Sequence, residues 1–520
     1  MTSAPKSSGT SVLARRSFLG LSLGAGAAAA LTACGSGSGS GSAGAGSSAG
    51  TLKWGWALPT SWDPIYSSAG WDVHDLSLVY SALTKLDAHG NAVPALASSW
   101  VYDATGTQIT FTLRPGLTFS DGSTLDAAAV KKSLDRSRTD PKSLVAAQLV
   151  HVAEVVAAGP TSVVVKLTQA DYQIPSLLAG KTGMIVSPRA FGANPAGLAT
   201  QPVGAGPFTL TSYVQNEKAV LKRNPGFWDA ANIKLESFEV YPLPDPSTVV
   251  AALQSGQYNV AEIPGSEVAA AKAAGLDVQV ISSMVVAVLD INTSKAPFTN
   301  PDVALALQYA IDREALLKTQ QFGYGEVSNQ PFPPGYVGHD PSSDGLYPYD
   351  PAKAKSLLAQ AGYPSGGIDL EITTTAAAGL PEQLQAQLQV VGFNAKIQVI
   401  PLAQATEIVY VNHSESLFTD EFAGRDSAAQ AFQVLFGTQG LMNPGRVAPP
   451  GLAAALAKVS ATPLDSADYP AVLRAATALA VRTMPNVFLY TVPRILARQR
   501  GVSALPADAV VQRFEGVTVA

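Results

Sequence analysis

The chain has 520 residues, 14% of them charged and 47% apolar, with 34 Lys and Arg against 39 Asp and Glu. That mild acidity argues against a nucleic-acid partner, because phosphate backbones require a basic face. A single cysteine excludes an internal disulfide, and the length passes the roughly 250–300 residues at which one core stops growing, so at least two unstapled lobes are expected.

The N-terminus reads as an export signal. Lys6, Arg15 and Arg16 stand without any acid, an apolar stretch runs from Phe18 to Leu31, and small residues lead to Cys34. The stretch is short for a bilayer span of roughly 20 residues. Leu31-Thr32-Ala33-Cys34 has the form of a lipoprotein cleavage site, and Arg15-Arg16-Ser17-Phe18-Leu19 resembles a twin-arginine signal. Residues 1–33 are therefore expected to be a removed lipoprotein signal peptide, with Cys34 as the lipidation site that holds the chain to a membrane. Without them, 31 bases face 39 acids, net −8. Residues 35–50 are Gly, Ser and Ala throughout and read as a flexible tether. Gly46-Ser47-Ser48-Ala49-Gly50 matches a nucleophile-elbow pattern formally, but it lacks the strand–turn–helix context that the pattern needs.

From Thr51 onward strand and helix signals alternate. Residues 108–114 and 162–167 alternate polar with apolar and are predicted strands. Helical spacing predicts one helix over 302–318, and another over 353–361, capped by Asp350, opened by Pro351 and stopped by Gly362. A helix over 382–391 ends at Gly392 and leads into the strand-like 396–400. The last helix, 468–482, is closed by Pro485 ahead of the apolar Val487-Phe488-Leu489-Tyr490. There is no fixed-period repeat, and the pattern predicts mixed α/β lobes.

Several of these segments form a known series. It begins with Tyr80, Leu83, Asp87, Gly90 and Val93-Pro94-Ala95-Leu96-Ala97, then Ser99-Trp100, and Phe111 to Leu117 followed by Phe119-Ser120-Asp121-Gly122. It continues with Pro202 to Phe208, Arg223-Asn224-Pro225-Gly226-Phe227-Trp228, Asn292, Pro297-Phe298, Ala310-Ile311-Asp312-Arg313, Tyr349-Asp350-Pro351 and Leu357 to Tyr363. In order and spacing the chain resembles the family 5 solute-binding proteins of bacterial ABC importers, the oligopeptide, dipeptide and nickel group, over roughly residues 52–492. One departure is Ala304, where the family usually carries a base.

The resemblance implies an α/β, two-lobed periplasmic-binding-protein fold with hinge-joined lobes. Lobe I would comprise 51–285, with an inserted subdomain near 82–195, completed by 486–520; lobe II would be 286–485. It implies capture of a small solute, above all a short peptide, in the interlobe cleft and delivery to ABC permease subunits, with no cofactor. The inferred mechanism is a population shift, in which ligand touches both lobes when they are closed. An oligosaccharide or another polar metabolite remains an alternative ligand, and an exported hydrolase an alternative class.

Four of six tryptophans, Trp54, Trp56, Trp62 and Trp71, lie within 18 residues. Trp54 and Trp56 share one face of a predicted strand, which favours packing. Trp62 and Trp71 fall in a loop among Pro59, Pro64 and Gly70 and are candidate ligand contacts, stacking on a peptide side chain or a sugar ring. Peptide-binding relatives tend to place an acid near 420–426 for the ligand's α-amino group; Asp426, then Asp420, matches by position. Arg425 beside it could fork onto a carboxylate or pair with a neighbouring acid. Arg114-Pro115-Gly116, Asp121-Gly122 and Asn224-Pro225-Gly226 read as turns, whereas Gly204-Ala205-Gly206-Pro207 is a candidate for close backbone approach to ligand. The five histidines are scattered and expected in loops or at the surface, without His-Glu-x-x-His, a triad, metal-ligand spacing or a phosphate loop.

Overall fold

The structure is a computed structural model describing residues 50–520 apart from 244, 376–378, 425, 426 and 509; the expected signal and Cys34 lie outside the described residues. Lobe I is built on a seven-stranded sheet in the spatial order Asp277–Ile281, Arg494–Arg498, Val260–Glu262, Thr51–Trp56, Ser237–Pro242, Lys218–Arg223, Phe208–Val214. Trp54 and Phe238 are fully buried on it, and Phe514 from the C-terminal segment packs against both rings. A four-stranded antiparallel sheet, Ala97–Tyr102, Gln108–Leu113, Ser162–Leu167 and Val152–Ala157, forms the inserted subdomain. Its period-two pattern buries Ile109, Phe111 and Leu113 together with Val163 and Val165 under helix Ala127–Thr139.

Lobe II carries a five-stranded sheet in the order Phe393–Val399, Ile368–Thr374, Leu417–Phe422, Val286–Ile291, Val487–Thr491. Strand Val286–Ile291 is buried at every position, as expected of a strand covered on both faces. Helices Pro301–Ala310, Pro351–Gln360 and Leu380–Val391 cover one face through Leu307, Leu358 and Leu388. Phe432, Phe436 and Leu473 build the second core with Phe422 and Phe488.

The chain crosses between the large sheets twice, through 282–285 and through Val492-Pro493. The second crossing falls later than the expected return at 486. Val487–Thr491 pairs with Val286–Leu289 and so completes the lobe II sheet, while Arg494–Arg498 pairs with Asp277–Ile281 in lobe I. Both strands are almost wholly buried, so only their pairing separates them.

The helix expected over 302–318 is two helices, Pro301–Ala310 and Arg313–Gln320. Ile311 is extended, and the Asp312 carboxylate caps the second helix by accepting from Ala315 N at 2.9 Å. The cap at Asp350 accepts from Lys353 N at 2.9 Å, and Gly392 ends Leu380–Val391 at φ +109°. The Gly204–Gly206 segment packs against the protein rather than opening to a ligand. A Cβ on Gly204 would lie 2.2 Å from the Val79 carbonyl oxygen, and one on Gly206 2.5 Å from the Val79 carbonyl carbon. Small residues are required there because this loop lies directly on the end of helix Asp72–Val79.

Candidate functional site: facing strand ends in the interlobe cleft

In open α/β sheets, ligands bind beyond the carboxyl ends of parallel strands, where connecting loops diverge. In lobe I, Thr51–Trp56 runs parallel to Ser237–Pro242 and Val260–Glu262, so Trp56, Pro242 and Glu262 mark that edge. In lobe II, Ile368–Thr374 runs parallel to Phe393–Val399 and to Leu417–Phe422, so Thr374, Val399 and Phe422 mark the other.

Arg494 opens its strand directly after the crossing and places its guanidinium at the lobe I edge. Nε lies 3.5 Å from Glu262 and Nη1 3.5 Å from Asp508, with the guanidinium carbon 5.5 Å over the Trp56 ring. Both ion pairs are long for charge-assisted bonds, whose usual length is about 2.7–2.9 Å. Nη2 and the Trp56 indole Nε1 are buried donors with no hydrogen-bond partner among the described residues. Trp56 is held by stacking on Trp54 (5.1 Å, 7° between planes) and by the edge contact of His74 at 5.2 Å.

His74 is buried in helix Asp72–Val79, which corrects the expectation of a surface or loop position. Its Nδ1 accepts from Gln512 N at 2.9 Å, and burial, with the charges of Arg494 and Arg513, holds its pKa well below 6.5. It is a neutral prop beneath Trp56.

Across the cleft, Glu421 projects from strand Leu417–Phe422 with a solvent-exposed side chain. Surrounding protein raises its pKa, and the charges of Asp420 and Glu262 raise it further. Glu262 belongs to lobe I, so its charge reaches across to the lobe II edge. No ion pair reaches the Glu421 carboxylate among the described residues. Asp420 accepts from the Tyr410 hydroxyl at 2.6 Å, and burial with the neighbouring Asp420 carboxyl pushes Asp290 well above the usual range.

Away from the hinge, lobe II docks onto the subdomain. Tyr172 N donates to Ser460 O at 2.8 Å, the Tyr469 hydroxyl donates to Gln173 Oε1 at 3.1 Å, and Gln173 Nε2 donates to Val459 O at 3.4 Å. Together with the facing strand ends, these bonds describe a closed cleft.

The expected contacts fare differently. Arg425 and Asp426, which follow strand Leu417–Phe422 in the sequence, lie outside the described residues. Trp62 has no exposed surface and packs in the lobe I core with its ring 5.9 Å from Tyr213, which leaves no face for a ligand. Trp71 stands half-exposed ahead of helix Asp72–Val79. Sequence reasoning missed Glu262, Glu421, Arg494 and Trp56 as neighbours, since they come from four strands far apart in the chain. The one local hint was Arg494, a base set after Pro493 between apolar segments.

A two-lobed α/β protein with its ligand edge between the lobes is a solute-binding architecture. Residues 91–441 match the model of the bacterial extracellular solute-binding proteins, family 5 (middle), and the chain belongs to that family. It is a substrate-binding protein of the ABC-importer type, from a family that works outside the cytoplasm. It is 32% identical over 379 residues to the glutathione-binding protein GsiB of Salmonella paratyphi A, covering 69% of this chain and 72% of that one. Over 376 residues it is 31% identical to GsiB of Escherichia coli O157:H7, with the same coverage. The fold matches DppA from Helicobacter pylori, solved with the peptide STSA (TM-score 0.78, 23% identity, 90% and 98% of the two chains). It also matches CtaP from Listeria monocytogenes (TM-score 0.79, 20% identity, 90% and 99%). These relatives are solute-binding transport proteins.

Proposed function

We propose that this chain captures a short peptide in the cleft between its lobes and delivers it to an ABC permease while a lipid on Cys34 holds it at the membrane. The observation that carries the peptide reading is the unsatisfied set at the two edges. Arg494 Nη2 and Trp56 Nε1 are buried donors without acceptors, and Glu421 is a carboxylate without a cation among the described residues. A buried unpaired donor costs about 1–3 kcal/mol, which a ligand acceptor would recover. A peptide supplies both complements: carbonyl and carboxylate oxygens for the donors and an ammonium for the acid. Arg425 and Asp426, following the same lobe II edge, are proposed as further contacts. Trp71 is the stacking candidate that retains an exposed ring.

Binding then needs no covalent step. A peptide that bridges Arg494 and Glu421 contacts both lobes in the closed form alone, so its binding energy shifts the open–closed equilibrium. The permease would read the closed form.

The test is native mass spectrometry of protein beginning at Gly35, followed by denaturing extraction. Release of short peptides, with weaker peptide binding by Asp426→Asn and Arg425→Ala, is expected. Release of a sugar or another non-peptide metabolite would overturn the peptide reading, and stoichiometric fragments of an added peptide would point to hydrolysis. For the anchor, Cys34→Ala is expected to move the protein from the membrane fraction to the soluble one.

A further inference from the structure

A cavity of about 520 Å³ lies between the subdomain and lobe II. The subdomain contributes Trp100, Tyr102 and Tyr172; lobe II contributes Tyr336, Ala428 and Tyr469. Its size falls within the roughly 300–1,000 Å³ of small-molecule sites.

Its chemistry is set by what its hydroxyls are already doing. The Tyr102 hydroxyl donates to Asp171 O at 2.8 Å and the Tyr469 hydroxyl donates to Gln173. Both groups are engaged with the protein, so these residues offer ring surface to an occupant. Among the described residues lining it, the single charge is Asp465, which is exposed. With Trp100, Tyr102, Tyr172, Tyr336 and Tyr469 in its walls, the chamber favours an occupant that presents a flat ring face.

Its place in the fold ties it to closure. The bonds that join Tyr172 and Gln173 to Val459, Ser460 and Tyr469 connect its two walls, so the chamber is whole when the lobes are closed. The hairpin preceding Trp100 comes so close that a Cβ on Gly90 would lie 1.9 Å from the Tyr336 ring. Ala428 opens helix Ala428–Phe436, directly after the connection that leaves the carboxyl end of Leu417–Phe422. Ala428 is thus the chamber residue nearest in the chain to the lobe II ligand edge.

We propose that this chamber is a specificity pocket for an aromatic side chain of the bound peptide, completed by lobe closure. The inference rests on the peptide reading above.

Calorimetric titration with the tripeptides Xaa-Gly-Gly, Gly-Xaa-Gly and Gly-Gly-Xaa, where Xaa is Ala, Leu, Trp or Arg, tests it on the unaltered mature protein. At one position Trp is expected to bind about tenfold or more tighter than Ala, a usual range for filling an apolar pocket. Val101 lines the chamber but is 65% exposed, so Val101→Trp should fold and partly fill it. In that variant the Trp-over-Ala preference should fall to about threefold or less. Equal affinities across the series, an undiminished preference in Val101→Trp, or tightest binding of the Arg peptides would each overturn the pocket while leaving the peptide reading intact. Failure of every tripeptide to bind would overturn both.

Discussion

Arg136 and Arg494 are both arginines paired with acids in lobe I, yet they do different things. Arg136 binds Asp63 through two hydrogen bonds, at 3.0 and 2.5 Å, with its guanidinium 5.4 Å from the Tyr66 ring centre and 5.3 Å from that of Phe191. It ties the subdomain helix to the first loop of lobe I. Arg494 reaches Glu262 and Asp508 at 3.5 Å each and leaves Nη2 unpaired. Arg313 in lobe II is a third variant. It is fully enclosed and donates to the carbonyls of Gln308, Tyr347 and Phe488 and to the Gln308 side chain, and burial lowers its pKa to about 10. Where the fold satisfies a guanidinium, the residue is a structural tie. Where donors are left over at a ligand edge, the residue is fitted to something the fold does not supply.

The largest expected effect breaks the tie. Arg136→Ala leaves Asp63, with almost no exposed surface, as a buried uncompensated charge. It should lower unfolding free energy by about 3–5 kcal/mol in urea denaturation, while ligand affinity of the folded fraction changes little. Arg494→Lys sharpens the other side. It keeps the charge but removes the planar fork, so peptide affinity by calorimetry should fall about tenfold with stability within about 1 kcal/mol of the parent. If Arg494→Lys destabilised as much as Arg136→Ala and left affinity unchanged, Arg494 would be a second structural tie.

A pH-dependent effect concerns Glu415, a buried lobe II acid with neither carboxyl oxygen hydrogen-bonded among the described residues. Burial raises its pKa from 4.5 to about 7. Between these values the unfolded chain loses the proton while the folded one keeps it, so this group's contribution to stability falls as pH rises from about 4.5 to about 7. Urea unfolding at pH 5 and pH 8 should show a smaller drop for Glu415→Gln than for the parent, by about 1–3 kcal/mol.

Local sequence carried a good part of the fold. Alternation identified Ser162–Leu167 because its valines need one buried face, and Asp350, Pro351 and Gly362 marked a helix because caps act within one turn. It missed the break at Asp312, where a residue able to start a helix stands inside an unbroken apolar period. The candidate site was less legible. The pattern led to a loop tryptophan, Trp62, whose ring the tertiary packing buries, and Gly204 and Gly206 serve a close approach to Val79.

By itself the sequence determined the class: mixed α/β lobes and the family resemblance. These follow from periodicity, caps and motif order, which are short-range and survive being read in one dimension. Tertiary structure alone decided that Val487–Thr491 belongs to one sheet and Arg494–Arg498 to the other, because their burial patterns are nearly the same and strand pairing separates them. It also decided which charges meet. Glu262, Glu421 and Arg494 are brought together from strands more than 70 residues apart, and whether a buried donor finds an acceptor depends on distances that exist only once those strands are placed.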